Sequence, residues 1–548
     1  MKYYYSKSGE LNLSDNDKEY SLKVSSIPPM QFVSADLWLA AGMLICGFLY
    51  WNFALVSEKG AGVTVFSVIL CGFTWSYFKA KGIKQTGNSL IWLILTIASA
   101  IQFMIFDGYA IKGLNLLFTS ACYIYWAAVS TGRCMDKKLS FFSLYDLINQ
   151  VFMVPFANIT CEYFGIKEGL SKNKHSKNAM YVLISTVIFL PLMVFVVGQL
   201  SMADAAFEQL LDQIMQAISL DSILNYGLQF IIGIPVACYL FGLLYGDAAG
   251  RNTENINKEK ILRFSEEIGF APKLTVYTVM TIFNLIYVMF FASQTAYLFS
   301  AFSNILPDTF TYAEYARRGF FELCKVASVN TVLIALAHIF ISKKGKEATP
   351  KILRLQTAVL SVMTAGLIVT ALRKMYMYIH FYGLTQLRVY TSWFMIMLLF
   401  AFVIIFLRQV KLFNASKIII IGAIIGFMIL SYGNVDGNIA KYNIENYESG
   451  NLETLDYSLL FRLSDGAVPY LYDLYYKTED EETRVLLYNY IVYGNLYMGE
   501  GSQQEIPEEM YKKTFRDFNL QSQRADSLRG LLHSKGLGHE VKGEAHVK

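Results

Sequence analysis

Charged side chains are scarce in this sequence, at 16% of 548 residues against 54% hydrophobic. Soluble domains carry about 25% charged residues, so the deficit excludes an ordinary soluble chain and implies a surface that faces lipid. The net charge of +4 is small for the length and gives no reason to expect a nucleic-acid partner. Cysteine is rare too. Cys46, Cys71, Cys122, Cys134, Cys161, Cys238 and Cys324 are the only seven, and no CxxC pair occurs. That pattern argues against a disulfide framework or a thiolate zinc site and reads as small apolar packing residues. Catalytic signatures are missing as well: no GxxxxGK[ST], HExxH, GxSxG or Gly-rich dinucleotide loop is present. An ATP-driven machine within this chain is excluded, no catalytic residue, cofactor or metal is expected, and an enzyme is the less favoured class. No signal peptide opens the chain either. Residues 1–36 are polar and mixed in charge, with Pro28-Pro29 just ahead of the first apolar run, and they read as a cytoplasmic N-terminal arm.

What is present is a series of long apolar runs. A helix needs about 20 apolar residues to cross the hydrocarbon core. The candidate spans are 37–56, 61–78, 89–106, 111–130, 179–200, 223–244, 275–299, 319–342, 354–373, 388–407 and 416–432. The expected fold class is all-α: a polytopic helical membrane protein with about eleven transmembrane helices in 37–432. Residues 433–532 form a small helical extracytoplasmic domain in this reading, with helices near 455–463, 468–476, 481–493 and 507–532. Residues 533–548 are rich in Gly, Lys and His and are expected to be disordered. No repeat at a fixed period is visible, so an inverted-repeat architecture is not supported.

Orientation follows from the Lys and Arg of the loops. With the N-terminus inside, the cytoplasmic loops hold the bases: Lys79, Lys81 and Lys84; Arg133, Lys137 and Lys138 with Lys167 to Lys177; Arg251, Lys258, Lys260, Arg263 and Lys273; Lys343 to Arg354; and Arg408, Lys411 and Lys417. The alternate loop 5–6 holds Asp204, Glu208, Asp212 and Asp221 and no base. Residues 140–165 are aromatic-rich but contain Asp146, Asn149, Gln150 and Pro155 between two basic flanks. Both flanks belong on one face, so this segment reads as interfacial or re-entrant, not spanning.

Two clusters break the charge pattern at the outer surface. Glu314, Arg317, Arg318 and Glu322 lead into the eighth span, and the first three share one helical face. Arg373, Tyr376, His380, Tyr382 and Arg388 join the ninth and tenth. Ionisable groups at membrane depth are costly and usually face protein or a water-filled cavity. Together these nine residues read either as a basic, aromatic-lined pocket for an anionic or lipid-head-group ligand, or as interfacial anchors around one ion pair. His338, near the cytoplasmic end of span eight, reads as a packing residue. Asn434-Val-Asp436-Gly-Asn438 lacks the closing Glu of a calcium loop, so Asp436 or Asn438 is expected to cap the next helix, as Asp465 is ahead of Pro469.

The stretches YAEYARRGFFEL, LRKMYMYIHFYGLTQLRVYTSWFM and NVDGNIAKYN…LDYSLLFRLSDGAVPYL resemble a group of bacterial multi-pass membrane proteins, the domain-of-unknown-function families 4173 and 4153. The likeness spans about residues 180–475 and implies a bacterial plasma-membrane protein, but brings no activity or catalytic residue. Gly466-Ala467 stands where the resemblance implies an acidic residue followed by Ala. Three functions remain open: a transporter or transport-associated protein, a membrane-embedded sensor or envelope assembly protein, and a lipid-linked glycosyl- or phosphotransferase. The partners expected are the lipid bilayer, an anionic or head-group ligand, and other envelope or membrane proteins.

Overall fold

The computed structural model describes residues 27–55, 59–171, 195–204, 220–269, 271–293, 312–341, 350–493 and 514–534, together with 4–5, 11–12 and isolated positions between 185 and 207. Side chains of 220–224 and 312–319 lie outside the description. Apart from a short ladder pairing Tyr4–Tyr5 with Leu11–Asn12 and a single bridge between Ala271 and Ile341, the described elements are helices. The membrane part begins with α1 (Ser34–Tyr50, extended by a π turn, Trp51–Leu55), α2 (Ala61–Ala80), α3 (Gly87–Ile105) and α4 (Tyr109–Thr131). A broken segment follows: α5 (Phe142–Ile148), a π turn (Asn149–Met153), α6 (Val154–Ala157) and α7 (Cys161–Ser171). Then come α8 (Leu220–Ala249), α9 (Lys258–Ile268), α10 (Lys273–Ser293), α11 (Tyr312–Phe340), α12 (Lys351–Tyr382), α13 (Gln386–Val410) and α14 (Ala415–Tyr432). The tail carries α15 (Val435–Glu448), α16 (Tyr457–Leu460), α17 (Val468–Lys477), α18 (Glu481–Tyr493) and α19 (Leu520–Ser534).

Among the described residues nine helices are long and apolar enough to cross a membrane: α1 with its π turn, α2, α3, α8, α10, α11, α12, α13 and α14. The expected span 179–200 falls largely outside the described residues. The expected span 111–130 is α4, and its composition explains why it is not among the nine. It buries Lys112, which pairs with Asp107 of the preceding turn, and Asn115 and Thr119, which face α3. Asn115 donates to the Ser99 carbonyl (2.7 Å) and to Gln102 (2.8 Å), and Thr119 bonds the Ser99 hydroxyl (2.9 Å). Away from water such interhelical polar contacts join helices that apolar packing alone does not select.

Three cores organise the molecule. The first joins α1, α2, α4, α7 and α8 around Met43, Tyr77, Phe78, Trp126 and Phe241. Its tightest point is the crossing of α1 and α8, where a Cβ on Gly47 would lie 2.2 Å from the Gly233 carbonyl oxygen. Only glycine allows two helix backbones so close. The second core joins α10 to α13 around Met280, Phe320, Leu360 and Phe402. Inside it Tyr287 donates to Asn330 (2.6 Å), which donates to Thr364 (2.8 Å). The third core belongs to the tail, with Ile439, Leu460, Leu471, Leu487, Ile491 and Ala525 fully buried.

Loop contacts sort into two faces. On one, Asp36 at the start of α1 takes Lys81 (2.8 Å) and Tyr77 (2.7 Å) from the end of α2. On that same face Gln85 accepts from Trp126 and Ser130, Arg133 reaches the Asp247 carbonyl, and Lys258 pairs with Asp136. Asn414 meets Leu139 there too (3.0 Å). This is the basic face. On the other, the tail face, the amides of Ala61 and Gly62 donate to the carbonyls of Phe518 and Arg516 (2.8 Å each). Arg516 bonds Asn52, and Asn519 and Gln521 bond the Asp107 turn between α3 and α4. α7 sits on the basic face, with Gly169 beside Leu37 and Gly165 beside Phe32. Gln229 of α8 bonds Asn52 near the tail face.

Several expectations need correction. α12 runs on to Tyr382, well past 373, so Arg373, Tyr376, His380 and Tyr382 are helical and only 383–385 form the turn. The helix expected after Asp436 or Asn438 is α15, and it runs to Glu448. The helix expected at 455–463 shrinks to Tyr457–Leu460, because Leu463 and Ser464 turn into a 3₁₀ turn, Asp465–Ala467. The last helix starts at Leu520 and runs through Ser534; residues 507–513 and 535–548 lie outside the described residues. Neither Asp436 nor Asn438 caps α15: its N-cap is Asn434, in the left-handed region at φ 43°. The 3₁₀ turn is capped by Ser464, and Asp465 instead pairs with Arg529 (2.6 Å). Pro469 does stand in the first turn of α17.

Candidate functional site

The residues expected to form an outer pocket are partly gathered. Glu314, Arg317 and Arg318 lie in the opening turns of α11, with side chains outside the described residues. Glu322 is exposed and within electrostatic reach of Lys374 on α12. On α12 the Arg373 guanidinium lies 5.1 Å from the Tyr376 ring, and Tyr376 is parallel to His380 at 6.3 Å. Such an arrangement is a cation–π stack on an exposed helix face. Arg388 does something else. It donates to the Tyr382 carbonyl (2.8 Å) and the Gly383 carbonyl and lies 3.9 Å from the Tyr378 ring, which packs against Tyr382 (5.3 Å). A guanidinium on the last carbonyls of a helix satisfies them and opposes the helix dipole. Among the described residues, therefore, Arg388 and Tyr382 terminate α12.

The tail face brings together two motifs that lie apart in sequence. Asp436 is buried and accepts from Gln386 (2.6 Å) and the Ser464 amide (3.1 Å). Gln521 donates to Asn434 (2.6 Å) and accepts from the Asp107 amide (2.8 Å). Asp107 also holds Lys112 (2.8 Å). The cavity here is about 10 Å³, space for one water. It is a latch between tail and bundle.

The basic face carries a different site, built on the broken segment. Gln150 donates to Asp247 (2.8 Å), Asn149 to the Thr253 carbonyl (2.8 Å), and Asn158 to the carbonyls of Val154 and Arg251 (2.9 Å each). The π turn at Asn149–Met153 and Pro155 break the helix, and π turns recur at functional sites. Asp146 is buried and among the described residues receives the Met135 amide alone (3.0 Å); burial pushes its carboxyl up to about 6. Glu162 is buried between α7 and α8 beside Cys238, and burial pushes it up to about 8. Asp136 is held below the usual carboxylate range by the Ser140 hydroxyl and the Lys258 ammonium. Sequence reasoning notices the polar residues at 146, 149 and 150 but not Asp247, the partner of Gln150, nor the Thr253 carbonyl that Asn149 reaches. Their i, i+3, i+4 spacing, one inward face, was the available signal.

Two cavities flank the strap 136–142 that leads into this segment. One, of about 760 Å³, lies between α3, α4 and α14, with Trp92, Leu95, Tyr125 and Ile424 on its walls and Lys137, Lys138 and Lys417 at its rim. The other, of about 880 Å³, lies between the strap and α11, α13 and α14, and takes in Phe141, His338 and Arg408. His338 bonds the Ile334 carbonyl (2.9 Å). None of the six described outer-cluster residues, Glu322, Arg373, Tyr376, His380, Tyr382 and Arg388, lines these three cavities. The seven cysteines are free and buried or half-buried, and no group of three His, Cys, Asp or Glu suited to a metal occurs among the described residues.

No curated protein and no solved structure matches the chain. One family model does, over residues 91–474, which runs from within α3 to within α17 and takes in the broken segment, the larger cavity, most of the smaller one's lining and the Asn434–Asp465 junction. The chain is a helical, multi-span membrane protein that belongs to the family described as "Domain of unknown function (DUF4153)".

Proposed function

We propose that the chain is a transporter, or a transport-associated protein, of a bacterial plasma membrane. Its N-terminus is cytoplasmic in this reading, its tail extracytoplasmic, and its membrane part has eleven spans; the kinship with family 4173 belongs to the same proposal. Support for the count comes from parity. α4 joins the tail face to the basic face alongside α3, and the chain passes from α7 on the basic face to Gln229 near the tail face, which asks for one further crossing between them. Support for the orientation is the gathering of Lys81, Arg133, Lys137, Lys258 and Lys417 on one face. The observation that carries the functional reading is the pair of cavities between two separately cored bundles, open beside a broken segment that holds buried carboxylates. Buried acids in a membrane protein that face protein or a cavity are frequent markers of transport pathways. The outer residues Glu314, Arg317, Arg318, Glu322, Arg373, Tyr376 and His380 are the proposed far-side contact for an anionic solute.

The test is two-sided access. Ile424→Cys, on the wall of the smaller cavity, is labelled with a membrane-impermeant maleimide in inverted vesicles and in intact cells. Fast labelling from the basic side and slower labelling from the other is the expected result. Labelling from the basic side alone, in every condition, contradicts transport. A second reading, an envelope sensor or assembly protein, is favoured by the tail's exposed tyrosines, Tyr447 and Tyr476, a residue type enriched at interfaces.

A further inference from the structure

We propose that the smaller basic-face cavity is a binding site for one anionic phospholipid, drawn from the adjoining leaflet. Its walls are apolar and open to the bilayer: Ile91 is 56% exposed and Ile425 is 54% exposed. Side chains of this kind on membrane helices meet acyl chains. Its rim is cationic. Lys137 and Lys138 come from the strap after α4, and Lys417 from the first turn of α14, so the three are brought together from distant parts of the chain. None of the three has an ion-pair partner among the described residues. The one carboxylate on the cavity wall, Asp136, is already engaged by Lys258 (2.9 Å) and Ser140 (2.6 Å). The strap is pinned where the lysines leave it, by Asn414 on the Leu139 carbonyl (3.0 Å). Apolar walls under an unneutralised cationic rim match a headgroup phosphate with its glycerol and upper acyl chains. A free phosphate would leave the walls empty.

The site names a ligand class for the cavity on which the transport reading rests. Its test reads retention, not movement, so either can fail alone. Full-length protein in detergent is given phosphatidylglycerol or phosphatidylcholine of the same acyl chains, and retention is read by native mass spectrometry. Phosphatidylglycerol should be retained in preference. The triple variant Lys137→Gln, Lys138→Gln, Lys417→Gln should weaken it by roughly a hundredfold, since each basic residue near an anionic surface contributes roughly fivefold. Ile425→Trp fills the cavity without changing charge and should also expel the lipid. The control, Lys79→Gln with Lys84→Gln and Lys411→Gln, removes three exposed charges from the same face and should leave retention unchanged. Equal retention of the two lipids, equal loss in the control, or retention in Ile425→Trp overturns the proposal. Full competition by millimolar inorganic phosphate also overturns it, assigning the site to a small anion.

Discussion

At the scale of single residues, two positions concentrate the physical demands of the fold. The α1–α8 crossing rests on Gly47 and Gly233, whose backbones leave no room for a Cβ. Gly47→Ala should cost about 1–3 kcal/mol, the range for overpacking a tight contact. Gly72→Ala meets nothing within 4 Å and should be neutral or slightly stabilising; thermal unfolding of the two variants side by side checks the contrast. Glu162 is the second position. Its raised pKa means that the folded chain keeps a proton that the unfolded chain releases above its ordinary 4.5. The folded state therefore loses stability as pH rises from about 4.5 to about 8, and no further beyond. Glu162→Gln removes that slope, so the variant should gain on the parent between pH 5 and pH 8. A constant difference in melting temperature across that window contradicts the burial of the group. Glu162 was not legible in the sequence, because a lone acid in an aromatic segment looks solvated until α8 packs over it.

At the scale of elements, the apolar runs made most spans legible, and the failures have causes. α12 outlasts its apolar run because Arg388 returns from α13 to satisfy its last carbonyls, a contact that hydropathy does not register. The capping motif signals the start of α15 but not its length, because its polar residues are used in contacts within the protein: Asn443 bonds both the amide and the carbonyl of Leu384 (2.6 and 2.9 Å), and Asp436 bonds Gln386 and Ser464. α19 carries the clearest prediction of this class. The segment leading into it lies against Gly60 so closely that a Cβ there would be 2.5 Å from the Asp517 carbonyl carbon, and α19 supplies Gln521 and Arg529 to the latch. Gly60→Ala should lift the segment, and removing residues from 514 onward should undo the latch. In both, hydrogen exchange should rise about tenfold or more across 433–477, while α1 and α8 keep their protection. Unchanged exchange in the tail makes α19 a passenger.

At the scale of the whole molecule, the two faces are the organising fact. Charge alternation in the sequence assigned each loop to one side. The contacts sort the described loops into the same two groups, with Lys81, Arg133, Lys258 and Asn414 on one and Asn52, Asp107, Gly383 and Arg516 on the other. The outer pocket was less legible, since its first half rests on side chains outside the description and its second half is partly a helix terminus. The basic-face cavity is not visible from sequence, since its three lysines come from one loop and one helix start far apart in the chain and its walls from three helices. The sidedness is tested most directly by one labelling experiment. Asn451 is exposed in the tail and Lys138 at the rim of the basic-face cavity, and the native cysteines are buried or half-buried, which keeps the background low. With Asn451→Cys and Lys138→Cys placed in separate chains, a membrane-impermeant thiol reagent applied to intact cells should modify position 451 and reach position 138 only after permeabilisation. Modification of 138 from outside, or protection of 451, would contradict the account.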